Sequence, residues 1–351
     1  MEENLDKKYK SVLETIKLYP DQLKQAWEDG NKIDLPDDYS DILNIVFCGM
    51  GGSALGARMV DSMTEESARI PFEIFTNYNI PSYTGEKTLV VISSYSGNTE
   101  ESLSCLQQAK QKGAKIFGIT TGGKLKEELE KEYIPAYIIN PKFNPSGQPR
   151  MALGYSVGAI LPLINKLNVS SISGQSVLEA ESAMKSSFEQ FGNESDPEHN
   201  KAKKLAVKLY KKFPVFVASD HLVGAAHSIK NQINETAKTF SVQFDLPELN
   251  HHLLEGLKHP SYLKRDAIFI LIHSHLYHDR TFKRYPLTAE VIKKNGFEFS
   301  IFHPKEETKL SQIFEVFVFG SLLTYFLTKE YKEDPTKIPW VDYFKEKLAE
   351  N

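Results

Sequence analysis

The sequence predicts an α/β protein of two related units, each a mostly parallel sheet flanked by helices, with helical N- and C-terminal extensions. Three observations carry that expectation. Short apolar runs alternate with stretches of helical length and period, the pattern of parallel strands joined by crossover helices. The alternation halts near residue 168 and resumes near 200. The two halves also repeat one another: NIVFCGMGGSALGARMV (44–60) has the form of PVFVASDHLVGAAHSIK (214–230), and KTLVVISSYSGNTEESL (87–103) that of RDAIFILIHSHLYHDRTF (265–282). A spacing of about 170 residues is that of a domain duplication rather than a solenoid. The organisation read from these signals is an N-terminal helical extension (1–40), a first unit (41–168), a linker helix (169–199), a second unit (200–332) and a C-terminal helix (333–351).

In the extension, Leu13, Ile16, Leu18, Leu23 and Trp27 recur at roughly helical spacing until Gly30 and Pro36 break the pattern. A buried strand is expected at 44–47, then a glycine-rich loop and a helix over 53–63. Strands at 72–76, 89–93, 115–120 and 136–139 follow, some of them separated by helices at 99–112 and 123–131. A long helix should begin near Met151 and run through GYSVGAILPLINKL. Residues 169–176 form a loop by composition, and 192–197 mark a second break. In the second unit, strands are expected at 214–219, 267–273 and 297–303, and helices at 224–240, 281–295 and 310–331. A last helix is expected at 341–350.

Composition narrows the function classes. Of 351 residues, 41% are apolar and 25% charged, ordinary for a soluble globular protein. The net charge of −4 leaves no basic excess to draw in nucleic acid. Cys48 and Cys105 are too few for a disulfide framework and fit a reducing compartment. The opening MEENLDKKYK lacks the apolar run of a signal peptide. The most apolar late stretch, 313–327, is interrupted by Glu315 and is short for a membrane span. The expectation is a cytoplasmic soluble protein with no nucleic-acid or membrane partner.

Two loops carry the chemistry. Gly49-Met50-Gly51-Gly52-Ser53 joins a buried strand to a helix. Its glycines let backbone approach a ligand closely, and the helix N-terminus offers unpaired N–H groups to an anion. The bland alternative is a tight strand-to-helix turn. No Gly-Lys-Ser/Thr follows, so this is not a P-loop, and the strand region after it, FEIFTNYN, lacks the acid of a dinucleotide fingerprint. The second loop is Ser93-Ser94-Tyr95-Ser96-Gly97-Asn98-Thr99. Hydroxyls at Ser94, Ser96 and Thr99 can each donate to phosphate oxygens. A turn with Thr99 as helix cap would explain Thr99 but not the two serines. Neither loop holds a Lys or Arg, so an anion there is held by neutral donors and helix dipoles. Two such loops at the carboxyl edge of one parallel sheet suggest a phosphorylated ligand in a crevice.

These loops resemble those of sugar-isomerase (SIS) domains, which bind phosphosugars. With PSGQPRMALGY (145–155), NQINETAK (231–238) and PELNH (247–251), in that order, the chain resembles the bifunctional phosphoglucose/phosphomannose isomerase family from about residue 40 onward. The resemblance implies two SIS domains, a homodimer with shared active sites, and no cofactor or metal. It implies reversible aldose–ketose isomerisation of glucose 6-phosphate, and of mannose 6-phosphate, to fructose 6-phosphate through a cis-enediol. Gly51, Gly52, Ser53, Ser94, Ser96 and Thr99 would bind substrate; Glu235, His251, Arg150 and Lys345 would be catalytic.

The residue types suit those roles. A permanent guanidinium at Arg150 can stabilise an enediolate, and a cation ahead of a helix start is otherwise badly placed. Glu235 is basic at neutral pH and can shuttle a proton between adjacent carbons; a solvent-facing helical glutamate is the bland alternative. An imidazole is a residue type suited to the proton exchange of ring opening, which points to His251, with His252 as competitor. The sequence leaves open whether Lys345 or its neighbours Lys337 and Lys347 reach the site. His273, His275 and His278 look like a metal cluster, but they occupy the second unit's counterpart of the serine-rich loop and lack a carboxylate or thiol complement. Leu253, Leu254 and Leu257 could anchor a segment bearing His251 against a partner subunit, or simply pack in their own domain.

Two other functions fit the same fold. A sugar-phosphate sensor needs only the phosphate loop, and Glu235, Arg150 and His251 argue against it. The isomerase part of a glucosamine 6-phosphate-forming enzyme would normally follow a glutaminase that starts with cysteine, whereas residue 2 here is Glu.

Overall fold

The computed structural model describes residues 2–194 and 199–350. The N-terminal extension is two successive helices, α1 (Glu2–Lys17) and α2 (Tyr19–Gly30), separated by Leu18 alone. The first unit runs β1 (Asn44–Gly49), α3 (Gly52–Thr64), β2 (Phe72–Phe75), β3 (Thr88–Ser94), α4 (Glu100–Gln111), β4 (Lys115–Thr120), α5 (Gly123–Lys131), β5 (Ala136–Ile138) and α6 (Leu153–Lys166). After α7 (Gly174–Phe191), the second unit runs α8 (Lys201–Leu209), β6 (Phe213–Ala218), α9 (Val223–Thr236), β7 (Val242–Asp245), the one-turn helices α10 (Leu253–Gly256) and α11 (Leu263–Asp266), β8 (Ala267–Ile272), α12 (Asp279–Lys294), β9 (Glu298–Phe302) and α13 (Lys309–Tyr331). The chain closes with α14 (Pro339–Ala349). Part of the break expected at 192–197 lies outside the described residues.

Both sheets are parallel throughout, ordered β2-β1-β3-β4-β5 and β7-β6-β8-β9. The shared order is the structural form of the sequence repeat, with β7 standing where β2 does. Central strands read as apolar runs because both faces are covered: every residue of β3 and of β8 is buried.

Helix α13 is apolar on all sides and buried along Leu310–Thr328, the core helix between α7, α8 and α9. By length and composition it could cross a membrane, and its apolar stretch is buried inside the protein. Glu315 is tolerated within it because its carboxylate accepts backbone N–H bonds from Lys305 (2.8 Å) and Glu306 (3.1 Å).

The glycines of GYSVG have a packing reason. A Cβ at Gly154 or Gly158 would lie 2.7–2.8 Å from atoms of Tyr19, Gln22, Leu23 and Ala26, so only glycine lets α2 sit this close to α6.

Several boundaries differ from expectation. Pro149–Met151 form a 3₁₀ turn, which delays α6 to Leu153. Helix α9 stops at Thr236 rather than Phe240 because Lys238 turns the chain with φ +52°. Strand β7 was not expected: four residues, VQFD, give too short a pattern to stand out.

Candidate active site

The sheet order reverses direction between β1 and β3, so the loops after these adjacent strands flank a switch point, where open α/β sheets bind ligands. The loops are stitched together. Ser53 Oγ accepts from Tyr95 N (2.9 Å), and Ser93 Oγ donates to the Ser53 carbonyl (3.0 Å). Ser94 is fully buried; its Oγ accepts from Gly97 N (3.1 Å) and Thr99 N (3.4 Å) and pairs with Thr99 Oγ1 at 2.8 Å. Gly97, at φ +72°, lies so close to Gly122 that no Cβ fits. Ser96 is exposed at the loop tip, with its Oγ accepting from Asn98 N (3.3 Å). Ser94 thus shapes the loop, while Ser96 is exposed and Thr99 is half-buried with its hydroxyl tied to Ser94. Neither α3 nor α4 has a side-chain cap; Ser53 N and Ala54 N of α3 are taken by the Met50 and Gly51 carbonyls, so the N–H groups available to an anion are those opening α4.

The glycine loop also seats Arg150. A Cβ at Gly52 would lie 2.8 Å from Arg150 N, so the start of α3 rests directly on the 3₁₀ turn that carries the arginine. Arg150 is 1% exposed. Its Nε donates to Thr236 Oγ1 (2.8 Å), one terminal nitrogen to Gln148 Oε1 (2.9 Å) and Glu235 Oε2 (3.4 Å), and the other to the Pro335 carbonyl (2.6 Å). Four of five N–H groups are taken, which leaves one terminal N–H for a ligand.

Glu235 lies in the last turn of α9 with its side chain 29% exposed. Burial raises its carboxyl pKa above the ordinary value, while Arg150, Lys238 and Lys345 pull it back. One turn earlier, buried Gln232 donates to the Arg150 carbonyl (3.0 Å) and accepts from Ser321 Oγ (2.8 Å). The structure therefore joins Arg150 of the first unit to Glu235 of the second, 85 residues apart, at the seam between them.

Lys345 lies on exposed α14, near enough for its charge to act on Glu235. His251 is exposed at the end of a 3₁₀ turn, Glu248–His251. Its neighbour Asn250 fixes that turn to α12 through Thr288 Oγ1 (2.9 Å) and Arg284 (3.1 Å). Among the described residues no hydrogen bond or ion pair links His251 to Glu235 or Arg150. The leucines beyond it pack in their own chain: Leu257 is buried, and Leu253 and Leu254 rest on the same core. They give no support to a segment anchored on a partner.

The second unit's counterpart of the ligand loops is filled from within. Gln312 of α13 accepts from Ser274 Oγ (2.5 Å), pairs with His221 Nε2 (3.0 Å) and donates to the Glu306 carbonyl (2.7 Å). The three histidines of that region have separate partners. His273 bonds the Phe282 carbonyl (3.0 Å) and stacks on Tyr285, His278 Nδ1 caps α12, and His275 lies 3.6 Å from Glu307.

Sequence reasoning missed several supports of the site. Gln148 and Thr236, which both accept from Arg150, stood inside quoted motifs, Gln148 two residues before Arg150 and Thr236 beside Glu235. The Pro335 carbonyl had no sequence signal. Nor did the extension's role: Gln22 donates to the carbonyls of Phe143 and Met151 (both 3.0 Å), and Thr15 Oγ1 accepts from Ser146 N (3.0 Å). The N-terminal helices thereby brace the Arg150 segment.

Paired parallel sheets with a Gly/Ser-rich switch-point site define the class: residues 39–130 match the SIS domain, and 198–348 match the bacterial phospho-glucose isomerase C-terminal SIS domain. The chain belongs to the bifunctional phosphoglucose/phosphomannose isomerase family. It is 34% identical to that enzyme of Caldicellulosiruptor bescii over 97% of this chain and 99% of the relative. It is also 30% identical to a D-glucosamine-6-phosphate 4-epimerase of Sulfolobus acidocaldarius, over 66% of this chain and 69% of the relative. The fold matches a hypothetical protein of Thermus thermophilus with a TM-score of 0.75 at 16% identity, covering 99% and 94% of the two chains.

Proposed function

We propose that this chain interconverts glucose 6-phosphate and mannose 6-phosphate with fructose 6-phosphate by a cis-enediol proton transfer. The observation that carries the reading is the Arg150–Glu235 pair: a buried cation 3.4 Å from a half-buried carboxylate whose pKa burial raises. A carboxylate tuned upward is a better base near neutral pH, and the guanidinium is placed where an enediolate would develop charge. Substrate phosphate binds Ser96, Thr99 and the free N–H groups opening α4, with Ser94 behind them. The sugar lies over Gly51, Gly52 and Ser53, within reach of the Arg150 segment. Glu235 takes the proton from C2 of the aldose and returns it to C1, while the remaining Arg150 N–H steadies the enediolate oxygen.

Ring opening falls to Lys345 and to His251 of the partner subunit in a homodimer. Two observations support a shared site: His251 is exposed, with no hydrogen bond or ion pair to Glu235 among the described residues, and α14 presents Trp340, Tyr343 and Phe344 at 81%, 54% and 64% exposure. Both cysteines are free and buried, which suits a reducing cytoplasmic setting.

The test begins with fructose 6-phosphate alone, without ammonia or glutamine. Both aldose 6-phosphates should form; binding without turnover would favour the sensor, and a need for ammonia the amino-sugar enzyme. Glu235→Gln and His251→Ala homodimers should then each be nearly inactive. Mixed under conditions of subunit exchange, they should recover up to about half of wild-type activity per heterodimer, because both lesions fall in one site. No recovery after demonstrated exchange would assign each histidine to its own chain.

A further inference from the structure

The C-terminal end of the Glu235 helix is closed by a side chain that no motif reading assigned. Helix α9 ends at Thr236, and its last carbonyls lack intrahelical partners. Lys238, turned back by its positive φ, donates from Nζ to the carbonyls of Glu235 (2.9 Å), Thr236 (3.1 Å) and Asp334 (2.7 Å). An ammonium has three hydrogens, so all are committed and none is left for substrate. The Asp334 carboxylate is itself fixed by Thr336 N (3.0 Å), Thr336 Oγ1 (2.7 Å) and Lys8 of α1. The next carbonyl along, Pro335, receives Arg150. Adjacent carbonyls of one short strap therefore hold Arg150 directly and the Glu235 end of α9 through Lys238.

We propose that Lys238 is a positioning residue: by tying the end of α9 to the Asp334 carbonyl it sets where the Glu235 carboxylate sits relative to Arg150. The proposal rests on the reading of Glu235 as the base. The charged groups facing Lys238 are Arg150, Glu333, Asp334 and Glu235, with Lys8 behind Asp334 and Lys345 near Glu235. Burial, helped by Arg150 and opposed by the acids, brings the ammonium pKa down to about 8. The Lys238 charge in turn lowers the pKa of Glu235.

The experiment compares Lys238→Met, which removes charge and donors, with Lys238→Arg, which keeps both. The Glu235 carboxyl is titrated by ¹³C NMR, its signal assigned by its loss in Glu235→Gln. In Lys238→Met the Glu235 midpoint should rise by about half a pH unit. The kcat should fall about tenfold with KM within about twofold, and Lys238→Arg should recover most of the loss. Should Lys238→Met fail to fold, Lys238→Gln, which keeps two donors without charge, is read the same way. An unmoved Glu235 titration with unchanged kcat would overturn the proposal. Loss of stability alone, with kcat and titration intact, would overturn it equally. An active Glu235→Gln would instead refute Glu235 as base, while the NMR titration would still decide whether Lys238 governs that carboxylate.

Discussion

Replacing Gly52 by alanine tests whether the seat of Arg150 governs turnover. The new Cβ would lie 2.8 Å from Arg150 N, 2.9 Å from the Pro149 carbonyl carbon and 3.1 Å from Pro149 Cβ. The first two are backbone atoms, so no rotamer change relieves them. Restoring a 3.4 Å contact to the Arg150 nitrogen requires the start of α3 and the arginine turn to part by about 0.6 Å. Overpacking of this kind costs about 1–3 kcal/mol, within a total of about 5–15 kcal/mol, so the fold survives with Tm lowered by several degrees. Catalysis is more sensitive, because a misplacement of about 1 Å can cost about 10²-fold. The shift worked out above should therefore reduce kcat/KM for fructose 6-phosphate by at least about tenfold. A coupled assay of glucose 6-phosphate formation, run beside calorimetry, reads both. Gly174→Ala, at the start of α7 with nothing within 4 Å of the added carbon, serves as the control for an ordinary glycine replacement. A Gly52→Ala enzyme with a lowered Tm and kcat/KM within twofold of wild type would show that the turn's position does not set the rate.

Two further outcomes follow from the same geometry. Ser94→Ala with Thr99→Ala should raise KM for fructose 6-phosphate about tenfold or more and spare kcat, because Ser94 shapes and Thr99 lines a phosphate loop remote from the reacting carbons; an unchanged KM would reduce the loop to a turn and cap. Glu235 must be deprotonated to act as base, and burial holds its pKa above the ordinary 4.5, so kcat/KM should fall on acidification at a midpoint above 4.5; a pH–rate profile flat down to that value in the folded enzyme would refute the assignment.

The ligand edge was legible because its signals are local. Gly49–Ser53 and Ser93–Thr99 each fill one strand-to-helix connection, where residue type and conformation are tightly coupled. Arg150 and Glu235 could be singled out, but nothing in the sequence placed them together, since their contact depends on how the two units meet. The supports were least visible. A backbone carbonyl such as Pro335 O looks the same at any residue, and the Gln22 contacts come from a helix whose pattern reports only its apolar face. The leucines after His251 show the opposite failure: apolar residues in a loop-like stretch invited an interface reading, yet the one-turn helix α10 folds them onto their own core.

On the proposed reading of Arg150 and Glu235, the duplication explains why catalysis sits at one junction only. Helices α3 and α9 are the equivalent first helices of the two units, and they run antiparallel across the seam. The start of α9 meets the end of α3, where Ser62 Oγ donates to the His221 carbonyl (3.2 Å) and accepts from Gly224 N (3.3 Å). The start of α3 meets the Arg150 turn, which in turn holds the end of α9 through Thr236 and Glu235. Both junctions could in principle pair a helix-end acid with a cation ahead of the unit's last helix. By the 170-residue offset, Glu65 stands where Glu235 does. The cation is what differs: Arg150 lies three residues ahead of α6, whereas Glu306 occupies that place ahead of α13. Of the cations beside it, Lys305 is exposed and Lys309 is paired with Glu66 at 2.7 Å. With Gln312 filling the adjoining loop site, the second junction has, among the described residues, no guanidinium buried as that of Arg150 is. A duplicated scaffold thus offers two seams, and only one of them carries an arginine three positions ahead of its unit's last helix, the feature on which the proposed enediolate site depends.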